Sequence, residues 1–155
     1  WLWFESEAEE AARFYASVFR NTTLGTVERA PGGGEPYTKE GQVLTAGFTI
    51  DGHEFYCLNG GKHPGGVPND AVSHQILCAD QAEVDEYWNK LAADGGSGVQ
   101  CGWVKDKYGF AWQIVPEILP RVTAGPDREA ARRVTEAMMK MVKLDVAKLE
   151  EAASG

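Results

Sequence analysis

Hydrophobic and polar positions along the chain follow a helical pattern twice. Residues 8–19 carry apolar side chains at helical spacing, and Ser6 with Glu9 forms the S-x-x-E sequence typical of a helix start. Asp80 and Glu83 form a similar start for a second helix, which "DGG" at 94–96 ends. The apolar face of this second helix is Val84, Tyr87, Trp88 and Leu91. The pattern predicts two amphipathic helices.

Segments rich in β-branched and aromatic residues surround both helices and predict strands. "QVLTAGFTI" and "HEFYCLNGG" are joined by Asp51-Gly52, a pair that favours a two-residue hairpin. "SHQILC" precedes the second helix, and "VQCGWVKD" and "FAWQIVPEI" follow it. Residues 30–41 and 60–70 are rich in Gly and Pro and are predicted loops.

The order of elements indicates an internal repeat. Overlaying the two helices with an offset of 73 residues places Trp1 on His74, while "DGHEFYCLN" resembles "KYGFAWQIV" and places Tyr56 opposite Gln113. Two copies of a β-α-β-β-β unit are the simplest interpretation.

The C-terminal tail carries an apolar stripe. We predict helices over about 126–153, the last starting near Asp145. The stripe consists of Val134, Ala137, Met138, Met141 and Leu144. Such a stripe must be buried, either on its own domain or on a second chain.

Length and charge narrow the function classes. The 155 residues, 43% of them hydrophobic, suffice for one compact domain. The net charge of −8 disfavours nucleic acid and anionic membranes as partners. No apolar run reaches the roughly 20 residues of a transmembrane helix, and the first residues carry no basic signal region, so we expect a cytoplasmic protein. The three cysteines lack zinc-site spacing.

Four segments bear a resemblance to a known superfamily. They are "LWFESEAEEAARFYASVF", "LNGG", "SHQILCADQAEVDEYW" and "GWVKDKYGFAWQIVP". They resemble the vicinal oxygen chelate superfamily of glyoxalases, bleomycin-resistance proteins and dioxygenases. Within it they look like the PhnB-like branch, sometimes labelled a 3-demethylubiquinone methyltransferase-like domain. The tail "MKMVKLDVAKLEEA" is also similar to that branch.

The resemblance implies an α+β fold with two paired βαβββ modules that form curved mixed sheets around a cleft, followed by C-terminal helices. We expect a single domain over 1–155, with module one at about 1–60 and module two at about 72–116. The methyltransferase label implies little, because no Gly-rich first turn of a Rossmann-like sheet is present.

Metal-using members of this superfamily take ligands, commonly His and Glu, from the first and last strands of each module. The family spacing places His74 at one such position, whereas Trp1, Tyr56 and Gln113 occupy the equivalents. An amide lacks the charge of a carboxylate, so we expect no tight catalytic metal and no other cofactor. A divalent metal remains possible, with His74 its only plausible ligand.

Strand alternation leaves the direction of His74 open. If Val72, His74 and Ile76 share one face, that face is mostly apolar and could equally be the one covered by the helix. The residues predicted to contact an organic ligand are Tyr56, Asn59, His74, Gln75, Trp103 and Gln113. No nucleophile constellation is present, because adjacent Ser73 and His74 point to opposite faces, so catalytic residues stay unassigned.

Three functions remain. The leading hypothesis is a PhnB-like protein of unassigned activity that binds a small organic ligand in the inter-module cleft without a tight metal. The alternatives are a divalent-metal-dependent lyase, isomerase or dioxygenase, whose further ligands could lie before Trp1, and a drug-sequestering protein of the bleomycin-resistance type. We also expect a homodimer, since the methionine stripe offers an apolar surface.

Overall fold

The computed structural model describes residues 1–66 and 68–155, which belong to two compact units. Each unit contains a four-stranded mixed sheet with one long helix, and the second adds C-terminal helices. The predicted α+β class with two β-α-β-β-β modules is therefore confirmed. That both modules form one domain stays a prediction. No helix in the described ranges is long and apolar enough to cross a membrane.

The first unit follows the predicted element order. Its elements are β1 (Leu2–Phe4), α1 (Ala8–Val18), β2 (Thr22–Arg29), β3 (Val43–Ile50) and β4 (His53–Asn59). The sheet order is β1-β4-β3-β2, with β1 parallel to β4 and the other pairs antiparallel. Asp51 and Gly52 form the predicted hairpin turn with φ of 47° and 79°, the left-handed conformation that such a turn requires.

The start of α1 differs from the predicted capping box. The predicted apolar face is buried, but Glu7 holds the cap position and makes no capping hydrogen bond. Instead, the Ala8 N–H donates to Oδ1 of Asn59 over 2.8 Å. Asn59 ends β4 beside Phe4, the last residue of β1, so a neighbouring strand supplies the acceptor. A local sequence motif could not reveal this partner.

The second unit repeats the arrangement, with its second and third strands shorter than those of the first unit. It contains β5 (Ser73–Cys78), α2 (Gln81–Leu91), β6 (Ser97–Gly98), β7 (Trp103–Lys105) and β8 (Ala111–Pro116), in sheet order β5-β8-β7-β6. The predicted cap of α2 is confirmed, because Asp80 accepts a hydrogen bond from the Glu83 N–H over 2.9 Å. The strand predicted over "VQCGWVKD" is interrupted by a 3-10 turn at Gln100–Gly102, where Cys101 has a φ of 62°.

A buried carboxylate organises the β7–β8 hairpin. Asp106 is 2% exposed and accepts hydrogen bonds from Nε1 of Trp112 at 2.8 Å and from the N–H groups of Tyr108 and Phe110. These donors satisfy the carboxylate in place of water. The arrangement fixes the indole of Trp112 beneath α2.

The tail forms three helices and packs its stripe against its own unit, with Val134 and Leu144 buried and Met138 and Met141 partly buried. They are α3 (Ile118–Thr123), α4 (Arg128–Met138) and α5 (Val146–Ser154). Asp145 caps α5, as predicted, whereas the sequence pattern missed α3. The buried core here consists of Val115, Ile118, Leu119, Val134, Leu144 and Leu149. Of the two alternatives for the stripe, the structure therefore supports burial within the same chain.

Equivalent hydrogen bonds align the two units and correct the predicted overlay. The Gly60 N–H donates to the Phe4 carbonyl, and the Glu117 N–H donates to the Cys78 carbonyl in the same way. Phe4 thus matches Cys78, an offset of 74, although the helices start 73 residues apart. The strand-to-helix connection is one residue shorter in the second unit. Trp1 consequently corresponds to Gln75 and not to His74.

Candidate functional site

Three of the predicted ligand-binding side chains form a row across the second sheet. Gln113 lies directly opposite Gln75 on one side and Trp103 on the other. Paired residues share a face, and neighbouring strands lie about 4.8 Å apart, so the row spans about 10 Å. It occupies the face opposite α2. Two amides and an indole are thereby presented side by side, and these three residues are called the glutamine row below.

His74 lies on the other face of the same strand. It is paired with Trp112, and the two rings are 5.1 Å apart. Trp112 and Ile114 on this face are fully buried, because α2 covers them. Burial lowers the pKa of His74, while the nearby carboxylate of Asp106 acts in the opposite direction. Of the two orientations that the sequence left open, His74 adopts the one that faces Trp112, where it is half-buried and points away from the glutamine row.

The glutamine row forms the floor of a pocket of about 290 Å³ built within the second unit. Val115 and Cys101 extend this floor, and the walls come from the C-terminal helices. The wall residues are Leu119, Pro120, Thr123 and Met138. Among them the sequence pattern singled out Met138 alone, as part of an apolar stripe, and gave no signal for α3. The pocket formed by the glutamine row, by Val115 and Cys101 and by these wall residues is called the amide pocket below.

Hydrogen bonds fix the polar groups of the amide pocket. Nε2 of Gln113 donates to Oγ of Ser73 over 2.8 Å, which orients the amide plane. The Thr123 hydroxyl donates to the Leu119 carbonyl over 3.0 Å, as is common in helices. The N–H of Cys101 donates to the Met141 carbonyl over 2.8 Å. The pocket rim is therefore tied to the segment that follows α4.

Tyr56 occupies the equivalent face of the first unit. Its ring stacks on Trp1 with centroids 4.6 Å apart. It lines a hollow of about 230 Å³ together with Glu28 and Thr45, and the Thr45 hydroxyl donates to the Glu28 carboxylate over 3.1 Å. The first unit thus presents an aromatic pair where the second presents two amides.

Asn59 has a structural role in the first unit. It is 7% exposed; its Oδ1 accepts from Ala8 at the start of α1, and its Nδ2 donates to the Val43 carbonyl over 3.0 Å. One side chain therefore joins three elements. Asn59 stands among the predicted ligand contacts, and the sequence around it gives no signal for the cap.

The side chains at the positions that the superfamily resemblance assigns to metal ligands are a poor donor set. With the corrected alignment, these positions hold Trp1 and Tyr56 in the first unit and Gln75 and Gln113 in the second. None supplies the imidazole or carboxylate that a divalent ion prefers. Within the described ranges, no three His, Cys, Asp or Glu side chains lie close enough to share a metal ion.

Comparison with known proteins identifies relatives for most of the chain. The sequence profile of the family described as 3-demethylubiquinone-9 3-methyltransferase matches residues 1–115. The PhnB protein of Bacillus cereus, which carries the same family name, is 33% identical; the match covers 74% of this chain and 95% of that one, with a TM-score of 0.62. No curated protein matches the chain.

A second solved structure is similar in fold. Protein PA1353 from Pseudomonas aeruginosa is 21% identical, with 75% of this chain and 93% of that chain covered and a TM-score of 0.59. The profile match ends before α3, so the helices that wall the amide pocket lie beyond it. The likeness of the tail to the same branch stays a prediction.

Proposed function

We propose that this chain, which belongs to the 3-demethylubiquinone-9 3-methyltransferase family of PhnB-like proteins, binds a small organic molecule in the amide pocket without a tightly held metal ion. The observation that carries the proposal is the row of Gln75, Gln113 and Trp103 beneath an apolar helical wall. Apolar walls with a few directed hydrogen-bonding groups are typical of organic-ligand sites.

The donor chemistry supports a role that needs no metal. The side chains at the positions that the superfamily resemblance assigns to metal ligands carry no charge here, and His74 is on the core side of the sheet. Methyl transfer is not part of the proposal, since the described sheets have no Gly-rich strand-to-helix turn of the dinucleotide-binding type. The proposal assigns binding and no reaction.

Fragment binding tests the pocket. ¹⁵N-labelled protein is screened by NMR against a small-molecule fragment library, and hits are repeated with the Trp103→Ala and Tyr56→Ala variants. We expect fragments that shift signals of residues around the amide pocket, with binding lost in Trp103→Ala and kept in Tyr56→Ala. Fragments that bind Trp103→Ala as well as the wild type, or the absence of any fragment that shifts signals near the glutamine row, would contradict the proposal.

Metal analysis tests the enzyme alternative. The protein is purified without chelator or affinity-tag metal, and its divalent ions are quantified. We expect far less than one ion per chain, unchanged by His74→Ala. About one ion per chain, lost in His74→Ala, would favour the metal-dependent enzyme.

A further inference from the structure

The amide pocket carries no formal charge on any described side chain that lines it. Its polar groups are amides, a hydroxyl and a thiol, and its other side chains are aromatic or aliphatic. Charged residues make up 25% of the chain, so a pocket of this size whose lining has no charged side chain bears on the charge of its ligand. An ionic ligand would lose hydration here without gaining a counter-charge. The net charge of −8 further disfavours anions.

The amide of Gln113 defines which hydrogen-bonding groups a ligand must carry on the edge that faces it. One of its N–H groups donates to Ser73, which holds the carboxamide in one orientation. Oε1 and the second N–H are then available to a ligand, so the side chain offers an acceptor and a donor next to each other. A ligand with an adjacent N–H and C=O matches this edge with two hydrogen bonds. Gln75, opposite Gln113 on β5, offers a second such edge.

Trp103 and the helical wall define the shape of the ligand. Trp103 is paired with Gln113 across the sheet at a backbone spacing of about 4.8 Å, so its indole lies beside any ring that bonds to the amide. Aromatic rings pack favourably against each other. Leu119 and Met138 close the other side with apolar atoms. A volume of about 290 Å³ admits a ligand of one or two fused rings.

We propose that the amide pocket selects an uncharged, flat ring system with adjacent N–H and C=O groups on one edge, as in a lactam or cyclic imide. This proposal rests on the proposed function. It adds that Gln113 forms hydrogen bonds with the polar edge of the ligand and that Trp103 packs against its ring. The tail, which lies beyond the family match, supplies the wall.

Three matched probes test the ligand class. 2-Quinolone has the full edge, N-methyl-2-quinolone lacks the N–H, and quinoline-2-carboxylate replaces the edge with a charge. Dissociation constants come from NMR titration of the wild-type chain. We expect 2-quinolone to bind about tenfold more tightly than either analogue, the size expected for one hydrogen bond or one uncompensated charge.

Two glutamine variants test the assigned residue. Gln113→Leu keeps the side-chain size and removes both hydrogen bonds to 2-quinolone but only the bond to the C=O of N-methyl-2-quinolone, so it should weaken 2-quinolone binding about tenfold more than N-methyl-2-quinolone binding. Gln42→Leu changes an exposed glutamine of the first unit and should leave both constants unchanged. The dispersion of the NMR spectrum verifies that each variant is folded.

The outcomes separate this inference from the proposed function. Carboxylate binding as tight as lactam binding, or equal weakening of both quinolones by Gln113→Leu, overturns the ligand class but leaves a small-molecule pocket. Fragment hits in the pocket without 2-quinolone binding overturn the class in the same way. If neither the probes nor any library fragment perturbs the amide pocket, the proposed function itself fails.

Discussion

At the scale of single residues, neighbouring side chains on β5 have separate roles. His74 lies half-buried against Trp112, and Gln75 faces the amide pocket. Because side chains alternate along a strand, His74 and Gln75 had to point to opposite faces, but both faces of β5 carry a mixture of apolar and polar residues. Which face α2 would cover was therefore not readable from β5 by itself. The pairing with fully buried Trp112 and Ile114 decides it.

The burial of His74 predicts a pH dependence of stability. Because burial lowers its pKa below the ordinary 6.5, the unfolded chain binds a proton at higher pH than the folded chain. The free energy of unfolding then falls as pH drops below about 6.5 and continues to fall until the folded-state pKa is passed. We expect the wild type to lose only modest stability through this group over that interval, because His74 is only half-buried and solvent screens its charge.

Urea unfolding between about pH 7.5 and 5.5 measures this contribution. His74→Gln should lose less stability over that interval than the wild type, whatever its stability at neutral pH. His53→Gln, which alters an exposed histidine of the β3–β4 hairpin, should keep the wild-type slope. An unchanged slope in His74→Gln would show that other groups cause the acid sensitivity.

At the scale of elements, the sequence predicted those whose signal is local. The apolar spacing of α1 and α2, the Asp80 cap and the Asp51-Gly52 hairpin each depend on residues close in the chain. The 3-10 turn at Cys101 was missed because a left-handed φ at a non-glycine residue has no local sequence signal. Helix α3 was missed because its apolar residues continue the strand pattern of β8.

The same distinction explains what was predicted of the site. Gln75, Trp103 and Gln113 were predicted ligand contacts, so the glutamine row was readable, although the direction of Gln75 on β5 was left open. The wall of the amide pocket was not readable, since Leu119, Thr123 and Met138 reach the sheet only through tertiary packing. The one-residue difference between the strand-to-helix connections also escaped the overlay, because the helix pattern dominated the alignment.

The cap of α1 gives the prediction at this scale. Asn59→Ala removes the acceptor of the Ala8 N–H and the bond to Val43, and we expect a loss of about 1–2 kcal/mol in the free energy of unfolding. Asn59→Asp keeps the acceptor and should lose less. Asn69→Ala removes a loop hydrogen bond to Ala71 and should cost less than about 0.5 kcal/mol.

Urea unfolding distinguishes these variants, and 2-quinolone titration adds a second readout. A structural role for Asn59 requires that Asn59→Ala bind the probe like the wild type under conditions where both are folded. Weakened probe binding in Asn59→Ala, with unchanged stability, would instead restore Asn59 as a ligand contact.

At the scale of the whole molecule, burial of the tail changes the argument for a homodimer. Leu144, one of the residues that suggested a shared surface, is fully buried within the second unit. Met138 and Met141 stay partly exposed, so the stripe offers a smaller surface for association than the sequence suggested, and the homodimer stays a prediction that needs additional surface. Exposed Trp1, Leu24 and Val27 of the first unit provide apolar area for one.

Stability measured against protein concentration decides where the stripe is buried. Because Leu144 packs inside its own chain, Leu144→Ala should lower the free energy of unfolding by about 3 kcal/mol, equally at low and high protein concentration. Val142→Ala, two residues earlier and 49% exposed, should change it by less than about 0.5 kcal/mol. Sedimentation velocity of the same samples gives the oligomeric state. If Leu144→Ala converts a dimer into 16.9 kDa monomers and its effect shrinks with concentration, the tail is shared between chains and the intramolecular packing described here is wrong.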